Sequence, residues 1–388
     1  MKVCFFSTGY SLQGGAERCQ VIIVRHLLAC GHEAHVVLPM ESELSEHYRA
    51  IGAHVHVIYW QHLRKLSDPL HVMKYLLWLA PTILRVTRII RQHGIDLVHV
   101  NEILDFQGLI AARLAGVPGV VFVRVILESP IFNGVLAVIG TSLADAVACV
   151  SGAVYHTTFR AWRRRHIRVL YDGGPDHDVF DPDKVAPIRP AMPGGVPVIG
   201  LVARLVHIKG HLSFLDLARR LGELGYDKLH YVIVGGPVRG HEAYARLVER
   251  RVEQYGLTGR VHMVGQQNDV AGWMAGMDIV CHLPLREDPL PGVPMEAAAM
   301  GKPVLGFISG GVPEQLTHPT SARLVPVGDI DALARNAIEL IESPALRAEM
   351  GRLARQEVRS KFSIPSHLAE VDELYRSLVT PDDPGKKA

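Results

Sequence analysis

The chain has 388 residues, 48% of them hydrophobic, with 36 Gly, 24 Pro and a net charge of +2. That length exceeds one ordinary core and suits two soluble α/β domains, and the near-neutral charge gives no support to a general grip on nucleic acid. The five cysteines are odd in number, scattered and never arranged Cys-x-x-Cys, which argues for a reducing compartment and against both a disulfide framework and a zinc site.

In chain order, β-branched runs alternate with stretches of helical period, the pattern of parallel β-α-β units with buried strands. The N-terminal "MKVCFFSTGYSLQGGAER" runs straight into a strand and turn and lacks the basic and small-residue features of a signal peptide. Strands are predicted at "KVCFFS", "AHVVLP", "HVHVI", "DLVHV", "GVVFVRV", "AVACVS" and "IRVL". A second set follows at "VPVIGLVA", "KLHYVIVG", "RVHMVG", "DIVCHL", "KPVLGF" and "ARLVPV". The apolar segment Pro69 to Ile90 is interrupted by Lys74, Pro81, Arg85 and Arg88, so it falls short of the ~20 uninterrupted apolar residues of a spanning helix. Between the two sets, Phe180 to Pro197 is rich in Pro and Gly and has the composition of a linker. The expectation is two doubly wound sheets facing across a cleft, with ligands beyond the carboxyl ends of the strands.

Candidate site residues gather at those strand ends. Gly14 and Gly15 precede a long helix whose free N–H groups suit a phosphate, although glycines there also serve simply to shape a turn. In "RLVHIKG", Arg204 and Lys209 place two cations in one loop next to a helix start, suited to a diphosphate leaving group or, equally, to a solvated loop. The turn at Gly265 offers backbone groups to a nucleobase. In "REDPLPGVPMEAAAMG", Asp288 lies in a proline-stiffened loop with Leu290, Pro291 and Gly292, and Glu296 falls near the start of the next helix. Glu296 suits the helix dipole and equally suits the paired hydroxyls of a ribose. Gly310 and Gly311 allow close approach after the following strand.

Taken together, "GGAER", "ARLVHIKG", "VIVGG", "VHMVG", "EDPLPGVPMEAAAMGKPV" and "SGGVPEQL" resemble glycosyltransferase family 4, in order, from Lys2 to the helix near Tyr375. The resemblance implies a GT-B fold of two Rossmann-like domains. Residues 1–180 would be the acceptor-side domain, 181–196 a linker and 197–362 the nucleotide-sugar domain. Residues 363–380 would be a helix packing back toward the N-terminal domain, and 381–388 a tail.

It further implies metal-independent transfer, with retention, of a sugar from a nucleotide diphosphate sugar, UDP-linked by preference or GDP-linked. The acceptor would be a glycan, a lipid-linked group or a small molecule, and no further cofactor is implied. Arg204 and Lys209 would bind the diphosphate, Asp288 the sugar hydroxyls and Glu296 the ribose. Gly14 and Gly15 would approach the sugar and phosphate.

Two departures stand out. The first acid is Asp288 with Glu287 adjacent, leaving open which of them meets the sugar. Arg124 stands where the family often has His; it suits contact with an anionic donor or acceptor but not general base catalysis. The usual "NG" before the linker reads Asp172-Gly173. No carboxylate pair is arranged as in a hydrolase, which favours front-face substitution with the leaving phosphate taking the acceptor proton. A nucleotide-sugar epimerase of the same fold and a non-catalytic nucleotide-sugar-binding protein remain open alternatives.

"DHD" and "DPD" (Asp176 to Asp183) read as solvated turns rather than a metal site, and His54 and His56 as alternation on a strand; no metal is expected. Phe159 to Arg168 mixes aromatics and cations. It reads first as a solvated face, and second, with Pro69 to Arg91, as a surface for anionic lipid. The expected location is the cytoplasm, with peripheral contact at the inner membrane face as the extension of that second reading.

Overall fold

The computed structural model describes residues 1–7, 9, 14–60, 69–127, 129–161, 166–191 and 194–379. Residues 162–165 of the basic run and the tail 381–388 lie outside them. The chain divides into two compact units, one formed by Met1–Gly173 with the C-terminal stretch from Pro365, the other by Gly174–Ile364.

The first unit is built on seven strands: β1 (Lys2–Phe6), β2 (Glu33–Leu38), β3 (His54–Val57), β4 (Leu97–Val100), β5 (Gly119–Val123), β6 (Ala146–Cys149) and β7 (Ile167–Val169). They pair in the order β3-β2-β1-β4-β5-β6-β7, all parallel. The order reverses between β1 and β4, so the sheet is doubly wound. Helices cover both faces, and the central strands therefore read as unbroken apolar runs: Val3 to Phe6 and Val120 to Val123 are fully buried. The helix Ile364–Val379 returns to this unit. His26 Nε2 lies 3.0 Å from Asp372, His367 Nδ1 2.8 Å from the Tyr171 carbonyl, and buried His99 2.5 Å from the Tyr375 hydroxyl.

The second unit carries β8 (Val198–Val202), β9 (His230–Val234), β10 (Val261–Met263), β11 (Ile279–His282), β12 (Val304–Phe307) and β13 (Ala322–Val325). Their order is β10-β9-β8-β11-β12-β13, again parallel, with the reversal between β8 and β11. Its core joins Ile199, Leu201, Tyr231, Ile233, Ile279 and Phe214. Helix starts are fixed by side-chain caps where the sequence supplies them: Asp269 accepts the Gly272 N–H, Asp329 that of Ala332 and Ser343 that of Leu346. The stretch 181–196 runs along this unit. Ile188 donates its N–H to the Gly272 carbonyl at 2.8 Å, and Arg355 grips Asp181 at 2.8 Å. The "DHD" and "DPD" carboxylates sit in turns, with Asp178 paired to Lys184 at 2.8 Å. All thirteen predicted strands occur where the alternation placed them.

Candidate active site

The second unit gathers its candidates at the carboxyl ends of five adjacent strands, β10 through β12 in sheet order. After β8 the chain passes Arg204 and makes a 3₁₀ turn, His207–Lys209, ending at Gly210. Gly210 has φ +73°, and a Cβ there would lie 1.8 Å from the Leu283 carbonyl oxygen. Only glycine fits on both counts. The β8 loop thereby presses on the end of β11, and Leu285 adds a hydrogen bond to the Ile208 carbonyl at 2.9 Å. This contact carries Lys209 to Asp288, with Nζ donating to Oδ2 at 2.6 Å. Because β8 and β11 are the strands between which the order reverses, Lys209 and Asp288 straddle the crevice where such sheets bind ligands. Arg204 is exposed and makes no ion pair among the described residues.

The loops after β11 and β12 are bound together by backbone. Gly310 has φ +49°, and a Cβ there would fall 1.8 Å from the Asp288 carbonyl oxygen. Gly311 donates its N–H to that same oxygen at 3.0 Å, and Ser309 Oγ donates to the Arg286 carbonyl at 3.0 Å. The Glu287 carboxylate accepts the Gly310 N–H. The two adjacent acids are thus sent different ways, Glu287 to the β12 loop and Asp288 to Lys209. Further along, the Pro291 carbonyl accepts Gln315 Nε2 at 2.8 Å, which fixes the entry to the helix Gly292–Ala299. No side chain caps that helix, leaving its first N–H groups aimed past Leu290 and Pro291. Glu296 is buried within it, its Oε1 3.4 Å from where a Cβ on Gly292 would stand.

Gly265 closes the row after β10. Its carbonyl accepts the Gly235 N–H at 2.9 Å, and Gly235 in turn abuts the Ala203 carbonyl just before Arg204. Two imidazoles missed by sequence reading form part of the same region. His282, the last residue of β11, and His211, the first of the helix His211–Glu223, are both buried. Burial pushes each down to about 4; for His282, Asp288 pulls the other way and Lys209 adds to the fall. Both are neutral at pH 7 and leave the Lys209–Asp288 pair as the charged centre.

The first unit is different. Gly14 stands at the start of the helix Gly15–Ala29, and the space a side chain would take is filled by the Glu17 carboxylate, 1.8 Å from an ideal Cβ. Arg124 stands just past β5 with its side chain buried. Its Nε and one terminal nitrogen donate to the two Asp172 oxygens at 2.9 and 2.7 Å, and the other nitrogen donates to the Asn101 side chain and carbonyl at 2.7 and 2.9 Å. The guanidinium also lies 4.6 Å over the Phe122 ring. Burial alone would disfavour both charges, but their pairing holds Asp172 below and Arg124 above its ordinary range. Two of the three departures from the family pattern, Arg124 and Asp172, are therefore one feature. The expected contact of Arg124 with a sugar or acceptor meets a guanidinium already engaged on three sides.

Beside it, Glu102 follows β4 and accepts the Ile103 N–H at 2.8 Å. Burial raises its carboxyl to about 8, against the opposing pull of that N–H and of Arg124. A raised carboxyl at the β1/β4 reversal has no sequence signature beyond an acid two residues past a strand.

Two sheets of this kind, each with its reversal point loaded with loops, define the GT-B class of transferases. A model for "Glycosyl transferases group 1" matches residues 187–357, and one for "Glycosyltransferase Family 4" matches residues 13–174. Among curated relatives, the 2-deoxystreptamine glucosyltransferase of Streptomyces kanamyceticus is 28% identical over 316 residues, covering 74% of this chain and 79% of that protein. The N-acetyl-alpha-D-glucosaminyl L-malate synthase of Bacillus anthracis is 31% identical over 135 residues, about a third of each protein. Among solved structures, Anabaena HepE in complex with UDP superposes with a TM-score of 0.81 at 22% identity over 97% of this chain and all of that one. Sucrose-phosphate synthase from Thermosynechococcus elongatus gives 0.75 at 19% identity, over 97% and 98%. The chain belongs to glycosyltransferase family 4.

Proposed function

We propose that this protein transfers a hexosyl group from a UDP-sugar to a hydroxyl acceptor with retention of configuration and without a metal ion. The observation that carries the reading is the Lys209–Asp288 pair at the reversal point of the second sheet, with Arg204 exposed in the same loop. As the glycosidic bond breaks, negative charge grows on the diphosphate, and fixed cations beside it lower the barrier. On donor binding, Lys209 exchanges Asp288 for the phosphate, and Asp288 turns to the sugar hydroxyls. Arg204 holds the other phosphate edge and Glu296 the ribose, while Leu290, Pro291, Gly292 and Gly265 line the nucleotide. In the resting protein Asp288 is held by an ammonium at 2.6 Å, which disfavours its use as a nucleophile and favours front-face substitution with the leaving phosphate as proton acceptor.

UDP is preferred over GDP because HepE has been captured with UDP and glucose. Relatives named for 2-deoxystreptamine, malate and lipopolysaccharide core acceptors support a role in glycan, glycolipid or small-molecule glycoside synthesis. No described helix is long and apolar enough to cross a membrane. Peripheral contact is supported instead by Leu76, Leu77 and Leu84, each more than half exposed on the helix Pro69–His93. Co-sedimentation with anionic vesicles reads that contact, and absence of pelleting removes it. The transfer itself is tested with a panel of UDP- and GDP-sugars. Slow nucleotide release that vanishes in Lys209→Ala supports it, whereas an isomerised sugar or tight binding without turnover overturns it.

A further inference from the structure

The first unit holds a second group of chemistry-bearing side chains, on the β2–β3 edge of its sheet, that sugar transfer does not use. The parallel register sets His35 opposite His54 and Val37 opposite His56. Period-two alternation then brings His35, His54 and His56 to one face. The helix Pro69–His93 ends over that face, and the His35 ring lies 4.7 Å from His54, 5.3 Å from His56 and 4.7 Å from His93. His56 and His93 are 5.1 Å apart, and the ligating atoms of His35, His56 and His93 all lie within 4.8 Å of one another. Glu33, His35 and His54 form an overlapping trio by the same measure.

Nothing in the fold accounts for this crowding of imidazoles. His35 is 2% exposed; its Nδ1 lies 3.0 Å from His56 Nε2, while its own Nε2 has no hydrogen-bond partner, with Glu33 3.8 Å away. A buried polar atom left without a partner is destabilising, and a native fold retains one where something fills the gap.

We propose that His35, His56 and His93 form a site for a divalent transition-metal cation of the zinc class. Three imidazoles match the preference of such ions for nitrogen donors. On binding, the ring nitrogen that carries the proton of the His35–His56 hydrogen bond gives it up while the same ring takes one at its other nitrogen, so both imidazoles stay neutral, and exposed His93, at the end of its helix, swings in as the third ligand. Water takes the fourth position on the open side. Glu33 is engaged by Lys2 at 3.0 Å, which sets the all-imidazole trio ahead of the overlapping one. The bound ion ties the edge strand β3 to β2 and to the helix end. It stands on strands other than those bearing the donor loops, so it makes no claim on the transfer chemistry.

The test uses the full chain stripped of metal with a chelator, then titrated with Zn(II) against a chromophoric competitor, with Tm followed in parallel. One tight equivalent and a rise in Tm are expected. His93→Gln and His56→Ala should each weaken that equivalent at least about tenfold and abolish the rise in Tm, given that even outer-sphere changes at metal sites cost 10–100-fold. His54→Ala and His230→Ala, the latter removing one ring of the stacked His230–His262 pair in the second unit, should bind as the parent does. His93→Gln changes an exposed residue, and an unchanged metal-free Tm shows that it folds. Absence of any tight equivalent, parent-like binding by His93→Gln, or loss of binding in His54→Ala alone would each overturn the assignment.

Discussion

Both units end their central strands in charged residues, yet the two strand-end clusters use charge in opposite ways. In the second unit Arg204 is exposed without an ion-pair partner among the described residues, and Lys209 holds a single partner, Asp288, with both side chains about a quarter exposed or less. In the first, Arg124 is 5% exposed and bonded to Asp172 and Asn101 at every edge the structure records. A cation meant to meet a ligand has to be available at modest cost, whereas a buried guanidinium removed from its carboxylate leaves an uncompensated charge. The comparison separates an accessible cluster, the one proposed to meet the donor, from a buried structural one that sequence position alone would treat alike.

The largest expected effect falls on the structural side. Arg124→Ala should destabilise the first unit by about 3–5 kcal/mol, because it strands a buried Asp172. Thermal unfolding followed by a probe in that unit measures it. The double change Arg124→His with Asp172→Asn, which installs the residues common in the family, should recover much of the loss. If that double variant is as unstable as the sum of the single ones, the two positions are not coupled and the contrast between clusters fails.

On the ligand-facing side, Lys209→Ala should leave Tm nearly unchanged and lower kcat by roughly 10²–10³-fold, the usual cost of losing one charge-stabilising group. Arg204→Ala should behave similarly. Steady-state kinetics with the preferred donor decides it, and a fall in Tm with unaltered kcat would place Lys209 among the structural cations.

A smaller loss is expected for Gly210→Ala, about 1–3 kcal/mol of stability in the second unit, since φ is +73° and the Leu283 carbonyl occupies the Cβ position. The same change displaces Lys209, so activity should fall further than stability does.

The smallest effect concerns Glu102. Its folded carboxyl is raised to about 8, so the folded state holds a proton that the unfolded state, near the ordinary 4.5, has already lost. Stability tied to this group is present below the unfolded value and declines as pH climbs toward 8. Glu102→Gln should accordingly raise Tm at pH 8 and by progressively less toward pH 5. A constant offset across that range would show that the carboxyl is not raised.

Much of this molecule was legible in the chain itself. Central parallel strands buried on both faces must be apolar along their whole length and edge strands such as "HVHVI" alternate, so "KVCFFS" through "ARLVPV" announce thirteen strands with no help from tertiary structure. The loops bearing Arg204, Lys209, Asp288 and Glu296 were readable because glycine, proline and charge at strand ends are local signals. Tertiary structure alone decided the pairings. Asp172 lies 48 residues from Arg124 and carries no local mark of a partner. Glu287 and Asp288 are equivalent in sequence, and only the Gly310–Gly311 loop, folded against them, turns one away from Lys209. His54 and His56 read as strand alternation, and His35 and His93 carry no local mark of a partner, until the β2–β3 register and the helix Pro69–His93 bring the four face to face. Periodicity fixes what each segment becomes, because burial acts residue by residue. Which charges and imidazoles meet depends on register and packing between segments far apart in the chain, and no local pattern encodes that.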